Sequence, residues 1–127
     1  MSVMNRMVEA VVERVEQLTS LDRIAEPLAS AVSEQFHRSR LKDVLSGSWF
    51  GHPLHPLLTD LPIGFWTSAM VADFAGGRRG DPVADLLVAA GVASAVPTAI
   101  TGLSDWSDLG ETDRRVGLVH ASANSVA

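Results

Sequence analysis

The chain has 127 residues, no cysteine, and a formal charge of −5 from 10 basic and 15 acidic side chains. That length fits one domain, and the missing cysteines exclude disulfide scaffolds, thiolate zinc sites, iron–sulfur clusters and cysteine nucleophiles, so a metal would have to use His, carboxylate or carbonyl ligands. The acidic balance argues against a nucleic-acid binder, whose partner demands a basic face. The charges are also segregated: residues 1–50 hold 13 of the 25, whereas 61–72 and 86–103 hold none.

Val8, Val11, Val12, Val15 and Leu18 recur at spacings of three and four with Glu9, Glu13, Arg14 and Glu16 between them, which predicts an amphipathic helix over 3–18. Those glutamates interrupt any apolar core a cleaved secretory signal would need. Thr19 and Asp22 have capping-box-like spacing, and Leu21, Ile24, Leu28, Ala31, Val32 and Phe36 predict the apolar face of a second helix, with Pro27 in its first turns or at a kink. Residues 1–44 therefore read as a polar, amphipathic helical leader. Its apolar face lacks the flanking Lys and Arg of a membrane-surface helix, so packing on its own domain or on a partner is the expected use.

Two apolar stretches follow, Leu57 to Ala75 and Val83 to Leu103, each long enough at 1.5 Å per residue to cross a hydrocarbon core of about 30 Å. A third run starts at Val116 and continues to Ala127. The Ala- and Gly-rich second stretch also fits the core of a soluble helical domain. For the membrane speak the pairs Ala90 with Ser94, Gly91 with Ala95 and Ala95 with Ala99, whose small side chains let helices approach and offer faces for oligomerisation, and Pro97, which close helical neighbours accommodate. Only Trp106 falls where an interfacial belt is expected. Arg38, Arg40 and Lys42, with Arg114 and Arg115, face one side against Arg78 and Arg79 on the other, which predicts a cytoplasmic amino terminus in a multi-pass cell-membrane protein.

The densest cluster of chemistry is Trp49-Phe50-Gly51-His52-Pro53-Leu54-His55-Pro56, with His55 expected as helix cap and Pro56 as the first helical residue. The imidazoles either cap the helix and bond loop carbonyls, or act as ligands or proton carriers held at a helix mouth. If the spans alternate, Asp105 and His120 return to the side of His52 and His55. His120 sits five residues beyond Arg115, about 8 Å along a helix, with Asn124 on its face. His55 and His120 are thus expected in one cluster with Asp105 nearby, Asp105 either capping the turn after a helix ending near Trp106 or orienting an imidazole together with Asn124. No Ser-His-Asp order, P-loop, HExxH or dinucleotide glycine pattern is present.

In the blocks GHPLHPLLTDLPIGFW, AVPTAITGLSDW and RRVGLVHASAN, from about Leu45 to the end, the sequence resembles the bacterial DUF2231 family of predicted membrane proteins, especially its actinobacterial members. The resemblance implies a bundle of four membrane helices over 45–127, sometimes joined to a Rieske-type iron–sulfur domain. Motif by motif it falls on His52, His55, Pro56, Asp60, Pro62, Asp73, Gly102, Asp105, Trp106, Arg115, His120 and Asn124. The chain departs from that pattern by stopping inside the third helix. The expected fold is therefore all-α, a partial membrane helical bundle of about three of four helices behind the leader.

Two functions fit. One is a non-catalytic membrane anchor or assembly subunit in the lipid bilayer. The other is a redox module in which His55 and His120 bind b-type haem or a quinone, or in which His52, His55 and His120 hold a metal ion, with a Rieske-type or other redox protein as partner. Transport fits less well, because ionisable groups collect at the span ends.

Overall fold

Ser2 starts the first helix: its hydroxyl accepts the Asn5 backbone N–H at 3.3 Å and satisfies a donor that no helical carbonyl reaches. The computed structural model describes residues 2–37, 41–77 and 80–126. All regular structure among them is helical, in six α-helices: α1 Val3–Glu16, α2 Asp22–His37, α3 Leu41–Ser46, α4 Leu54–Gly76, α5 Asp81–Ser107 and α6 Glu111–Val126, with a 3₁₀ turn Thr19–Leu21 leading into α2. The all-α expectation holds. The arginines used to predict orientation at 38, 40, 78 and 79 lie outside the described residues.

The residues fall into two compact units, Met1–Ser39 with Trp106–Ala127, and Arg40–Asp105. In the first, α6 packs on α1 and α2. The buried face of α2 is carried by Ala25 and Ala29, against Trp106 and Leu118. This face is one residue away from the expected Leu and Ile stripe, whose Ile24 is 59% exposed. One residue is a 100° turn of the helix, and it presents alanines where a large indole must fit. Asp22 does more than open α2. The Arg115 guanidinium grips its carboxylate with two parallel bonds, Nε to Oδ1 at 2.7 Å and Nη2 to Oδ2 at 2.6 Å, while Nη1 donates to the Glu16 carbonyl. One buried arginine thereby ties the end of α1 and the start of α2 to α6.

Trp106, the tryptophan expected at an interfacial belt, is 8% exposed and packs inside the protein. Its indole donates from Nε1 to the Arg114 carbonyl at 3.0 Å and lies on Gly117, where a Cβ would come within 2.4 Å of the ring. Pairing the N–H lets the aromatic body be buried at no cost in an unmade hydrogen bond.

The second unit is built on α4 and α5. Two rings of α4 sit on two glycines of α5: His55 on Gly102 and Trp66 on Gly91. Both pairs are eleven residues apart along their helices, about three turns, and they run in opposite directions, so the two helices pack antiparallel. The small residues were expected to let helices approach closely, and at Gly91 the open backbone takes the Trp66 indole. At the connection, Gly80 is buried so tightly that a Cβ would lie 2.1 Å from the Ala72 carbonyl oxygen.

Pro62 stands inside α4 and has no N–H for the carbonyl four residues earlier, that of Leu58. Thr98 of α5 replaces the missing donor, its hydroxyl lying 3.0 Å from the Leu58 oxygen and 2.9 Å from the Ser94 oxygen. A neighbouring helix thus repairs a proline gap through a hydroxyl, the device expected where water is excluded.

Among the described helices α5 alone is long and apolar enough to cross a membrane, and only 17% of its most apolar window is buried. A core helix of a soluble protein would be mostly covered. The expected first span carries Asp60, Asp73 and several hydroxyls along α4, and the third run begins in an α6 whose first turn holds Glu111 and Asp113.

Candidate functional site

The helix start expected at Pro56 lies two residues earlier. Pro53 is the N-cap residue and Leu54 the first in α4, so His55 is inside the first turn and is not the cap. Pro56 then occupies a first-turn position whose N–H has no intrahelical partner anyway, which is why the His-Pro pair is tolerated there.

This placement turns the half-buried imidazole toward α5. His55 Nδ1 lies 2.9 Å from the Thr98 carbonyl oxygen, and a carbonyl only accepts, so Nδ1 carries the proton. The neutral ring then keeps its lone pair on Nε2. The absence of a side chain at Gly102 makes the approach feasible, since a Cβ would come within 2.5 Å of Cε1 and 2.7 Å of Nδ1. The seat of His55 therefore has three parts: the proline-bounded turn that aims it, the Thr98 carbonyl that fixes its tautomer, and the Gly102 backbone that it lies against. A backbone carbonyl holding one ring nitrogen while the other stays basic is the arrangement that commonly orients metal-ligating histidines.

Thr98 and Gly102 were not both visible in advance. Gly102 came only with the family motif, and Thr98 was missed. The signal was Pro62, which announces an orphaned carbonyl and hence a hydroxyl on the neighbouring helix.

His52 is exposed, in the loop before α4, its ring 6.3 Å from that of Phe50 in an edge arrangement. Asp105 is half-buried in the last turn of α5, two residues before the helix end, rather than in a cap position. His120 and Asn124 belong to the other compact unit and are exposed on α6. The Asn124 amide donates from Nδ2 to His120 Nε2 at 3.0 Å and to the His120 carbonyl at 3.0 Å. In its neutral form His120 therefore carries its proton on Nδ1. Among the described residues no three His, Asp or Glu side chains are grouped so as to hold a metal ion.

The end of α5 has its own ligand within the same unit. Lys42 of α3 reaches across with Nζ to the Ser104 carbonyl at 2.7 Å and its hydroxyl at 3.1 Å. Ser104 is fully buried. A cation on the last carbonyls of a helix complements the negative end of its dipole.

The family model described as predicted membrane protein (DUF2231) matches residues 51–127, more than half the chain and all of α4, α5 and α6. The chain belongs to the DUF2231 family. No curated protein and no solved structure matches it. The DUF2231 match begins at Gly51, at the loop that delivers His52 and His55, and contains Pro62, Thr98 and Gly102. A membrane setting agrees with the exposed apolar surface of α5.

Proposed function

We propose that this DUF2231 protein is a multi-pass membrane anchor or assembly subunit of the cell membrane, its amino terminus cytoplasmic, its embedded region within 45–127 and its helical leader available to a partner. The observation that carries this reading is the antiparallel α4–α5 pair: its contacts are a hydroxyl on an orphaned carbonyl and rings on glycines, while Leu57, Leu61, Met70, Val71, Phe74, Leu86, Val92 and Val96 face outward. Apolar exposure on that scale needs lipid or a partner. The remaining small residues of α5, Ala99 among them, offer a surface to a second copy.

Expression of the full chain followed by an alkaline carbonate wash tests the anchor. The protein should stay with the membranes and need detergent to remain monodisperse. A stable monomer in plain buffer overturns the reading. Because the chain has no native cysteine, single Ser2→Cys and Ser125→Cys variants labelled with an impermeant maleimide report which side each end occupies.

The seat of His55 favours a second reading, a redox module. A neutral imidazole with Nδ1–H bound to Thr98 presents Nε2 as an electron-pair donor, which suits a b-type haem iron, a non-haem metal held with His52 and His120, or a quinone oxygen bound through a shared proton. Asp105 and Asn124 would then orient the rings, and a Rieske-type or other redox protein would be the partner. His120 would have to give up its Asn124 contact to ligate through Nε2. Absorption spectroscopy and elemental analysis of the full-length protein separate the readings: a Soret band or stoichiometric metal lost in His55→Ala and His120→Ala supports the module, and a colourless, metal-free preparation leaves the anchor.

A further inference from the structure

Three tryptophans are present, and the two that sit on glycines, Trp66 and Trp106, contribute to helix packing. Trp49 does not. It is 67% exposed, beside Phe50 at 52%, in the loop between α3 and α4. The loop itself is well made. Trp49 Nε1 donates to the Val44 carbonyl at 3.2 Å, and the Ser46 and Ser48 hydroxyls both donate to the Asp43 carbonyl, at 3.3 and 3.1 Å. Gly47 turns the chain with a φ of 73°, in a space where a Cβ would meet the His52 carbonyl. The rings of Trp49 and Phe50 lie 5.5 Å apart. The exposed surface therefore belongs to a turn whose side chains are tied back to the Asp43 and Val44 carbonyls of α3. Val44, whose carbonyl takes the indole, and Leu41, one turn earlier, are also exposed.

What covers this surface follows from where α3 is fastened. Lys42 holds the Ser104 carbonyl at 2.7 Å, so α3 and its loop sit at the carboxyl end of α5, the helix with the length and apolarity of a span. The 27 residues of α5 measure about 40 Å, against a hydrocarbon core of about 30 Å. The end of α5 therefore reaches the headgroup layer when the helix crosses. At that level a lysine ammonium, a row of serine hydroxyls and two aromatic rings find polar and apolar surroundings together.

We infer that Leu41, Val44, Trp49 and Phe50 form an interfacial anchor that seats in the headgroup–acyl boundary of the bilayer and fixes the depth at which α5 stops. The inference rests on the membrane reading above and adds a contact surface to it. It assigns the lipid-facing aromatic role to Trp49, the tryptophan with the greatest exposure among the three. Lys42 sets the height of the anchor by holding it to the last turn of α5.

Tryptophan fluorescence of the full chain in phosphatidylcholine vesicles tests it, the Trp49 signal being the difference between wild type and Trp49→Phe. Lipids brominated near the glycerol end of the acyl chain should quench that difference signal more strongly than lipids brominated near the terminal methyl, and its emission should be shifted to the blue of free indole in water. A second variant, Val92→Trp, places a probe on the exposed face of α5 and should show the opposite depth preference. If Val92→Trp is quenched by deep bromines and the Trp49 signal by none, the anchor is wrong while the span stands. If neither probe is quenched, the membrane reading falls and takes the anchor with it. A blue-shifted Trp49 signal that bromine does not touch means that protein covers the turn, and it also overturns the inference.

Discussion

The two units of this protein solve the same problem, holding helices together, with different chemistry. In the unit made of the leader and α6, a guanidinium–carboxylate pair and an indole N–H on a carbonyl lock the helices together. In the unit made of α3, α4 and α5, the contacts between α4 and α5 are a threonine hydroxyl on a proline-orphaned carbonyl, an imidazole on a carbonyl, and rings on bare glycine backbone. Charge pairing suits a place where water is near enough to share in desolvation; hydroxyls and glycines suit a place where lipid gives helices no hydrophobic reason to associate. The proposal that the second unit is the embedded one can therefore be tested through its packing chemistry as well as through apolar length.

The sharpest way to break this contrast is at Arg115. Arg115→Ala removes three hydrogen bonds at once and leaves the Asp22 carboxylate without its fork, so α1 and α2 should lose protection in hydrogen exchange while α4 and α5 keep theirs. Arg115→Lys should restore little, since an ammonium cannot make the two parallel bonds. Simultaneous loss of protection in α4 and α5 would show that the two units are one cooperative structure.

Next in size is Gly102→Ala. Its methyl group would lie 2.5 Å from His55 Cε1, and overpacking of this kind costs about 1–3 kcal/mol, read as a lower unfolding midpoint in detergent. His55→Ala should be milder, and the double variant should recover part of the loss, because the colliding ring is gone. Additive losses would mean that the ring does not lie on Gly102.

A smaller effect is expected at Thr98. Thr98→Val deprives the Leu58 carbonyl of its donor at a cost of about 0.6–1.7 kcal/mol, the range found for interhelical bonds in membranes. Pro62→Ala in that background supplies an N–H to the same carbonyl and should restore some of the stability. Pro62→Ala alone, with Thr98 intact, should gain less.

The mildest perturbation is acid. The hydrogen bond from Arg115 holds the Asp22 carboxyl below the usual aspartate range. The folded state therefore gives up this proton more readily than the unfolded chain, whose value is about 3.9. The pair's contribution is full above that value and is lost as pH falls through the lower, folded value. Unfolding midpoints followed from about pH 5 down to about pH 2 should show a drop in wild type that Asp22→Asn lacks. A drop centred above the unfolded value would point to another group.

How much of this was readable in the sequence follows the range of the interactions. Local pattern placed α1, α4 and α5: residues 3–18 are α1 to within two residues, and the apolar stretches lie inside α4 and α5. The short α3 carried no periodic signal and straddles the expected end of the leader at residue 44. Local pattern also located the His-Pro turn, though not that Pro53 precedes the helix and His55 enters it. The Asp22–Arg115 fork joins residues far apart in the chain, and neither carries a spacing that names the other. The buried side of α2 was misjudged because periodicity ranks Ile and Leu above Ala, while the fit of the Trp106 indole demands the reverse. Trp106 itself was assigned to an interface by its position at a span end, and the belt residue better fitted by exposure, Trp49, lay in the cluster read for its histidines. Whether His52, His55, Asp105, His120 and Asn124 act together is a question for the spectroscopic and elemental measurements.

The paired seats of His55 on Gly102 and Trp66 on Gly91 also govern how this helical hairpin can change over evolutionary time. Both seats need the same number of residues between them on each helix. One added or deleted residue between His55 and Trp66 turns one ring by 100° relative to the other, so at most one of the two still meets its glycine. The same holds between Gly91 and Gly102. Length variation in relatives that keep both seats should therefore concentrate in the connection around residues 77–80 and outside the paired stretch, leaving the two segments between the seats at constant length.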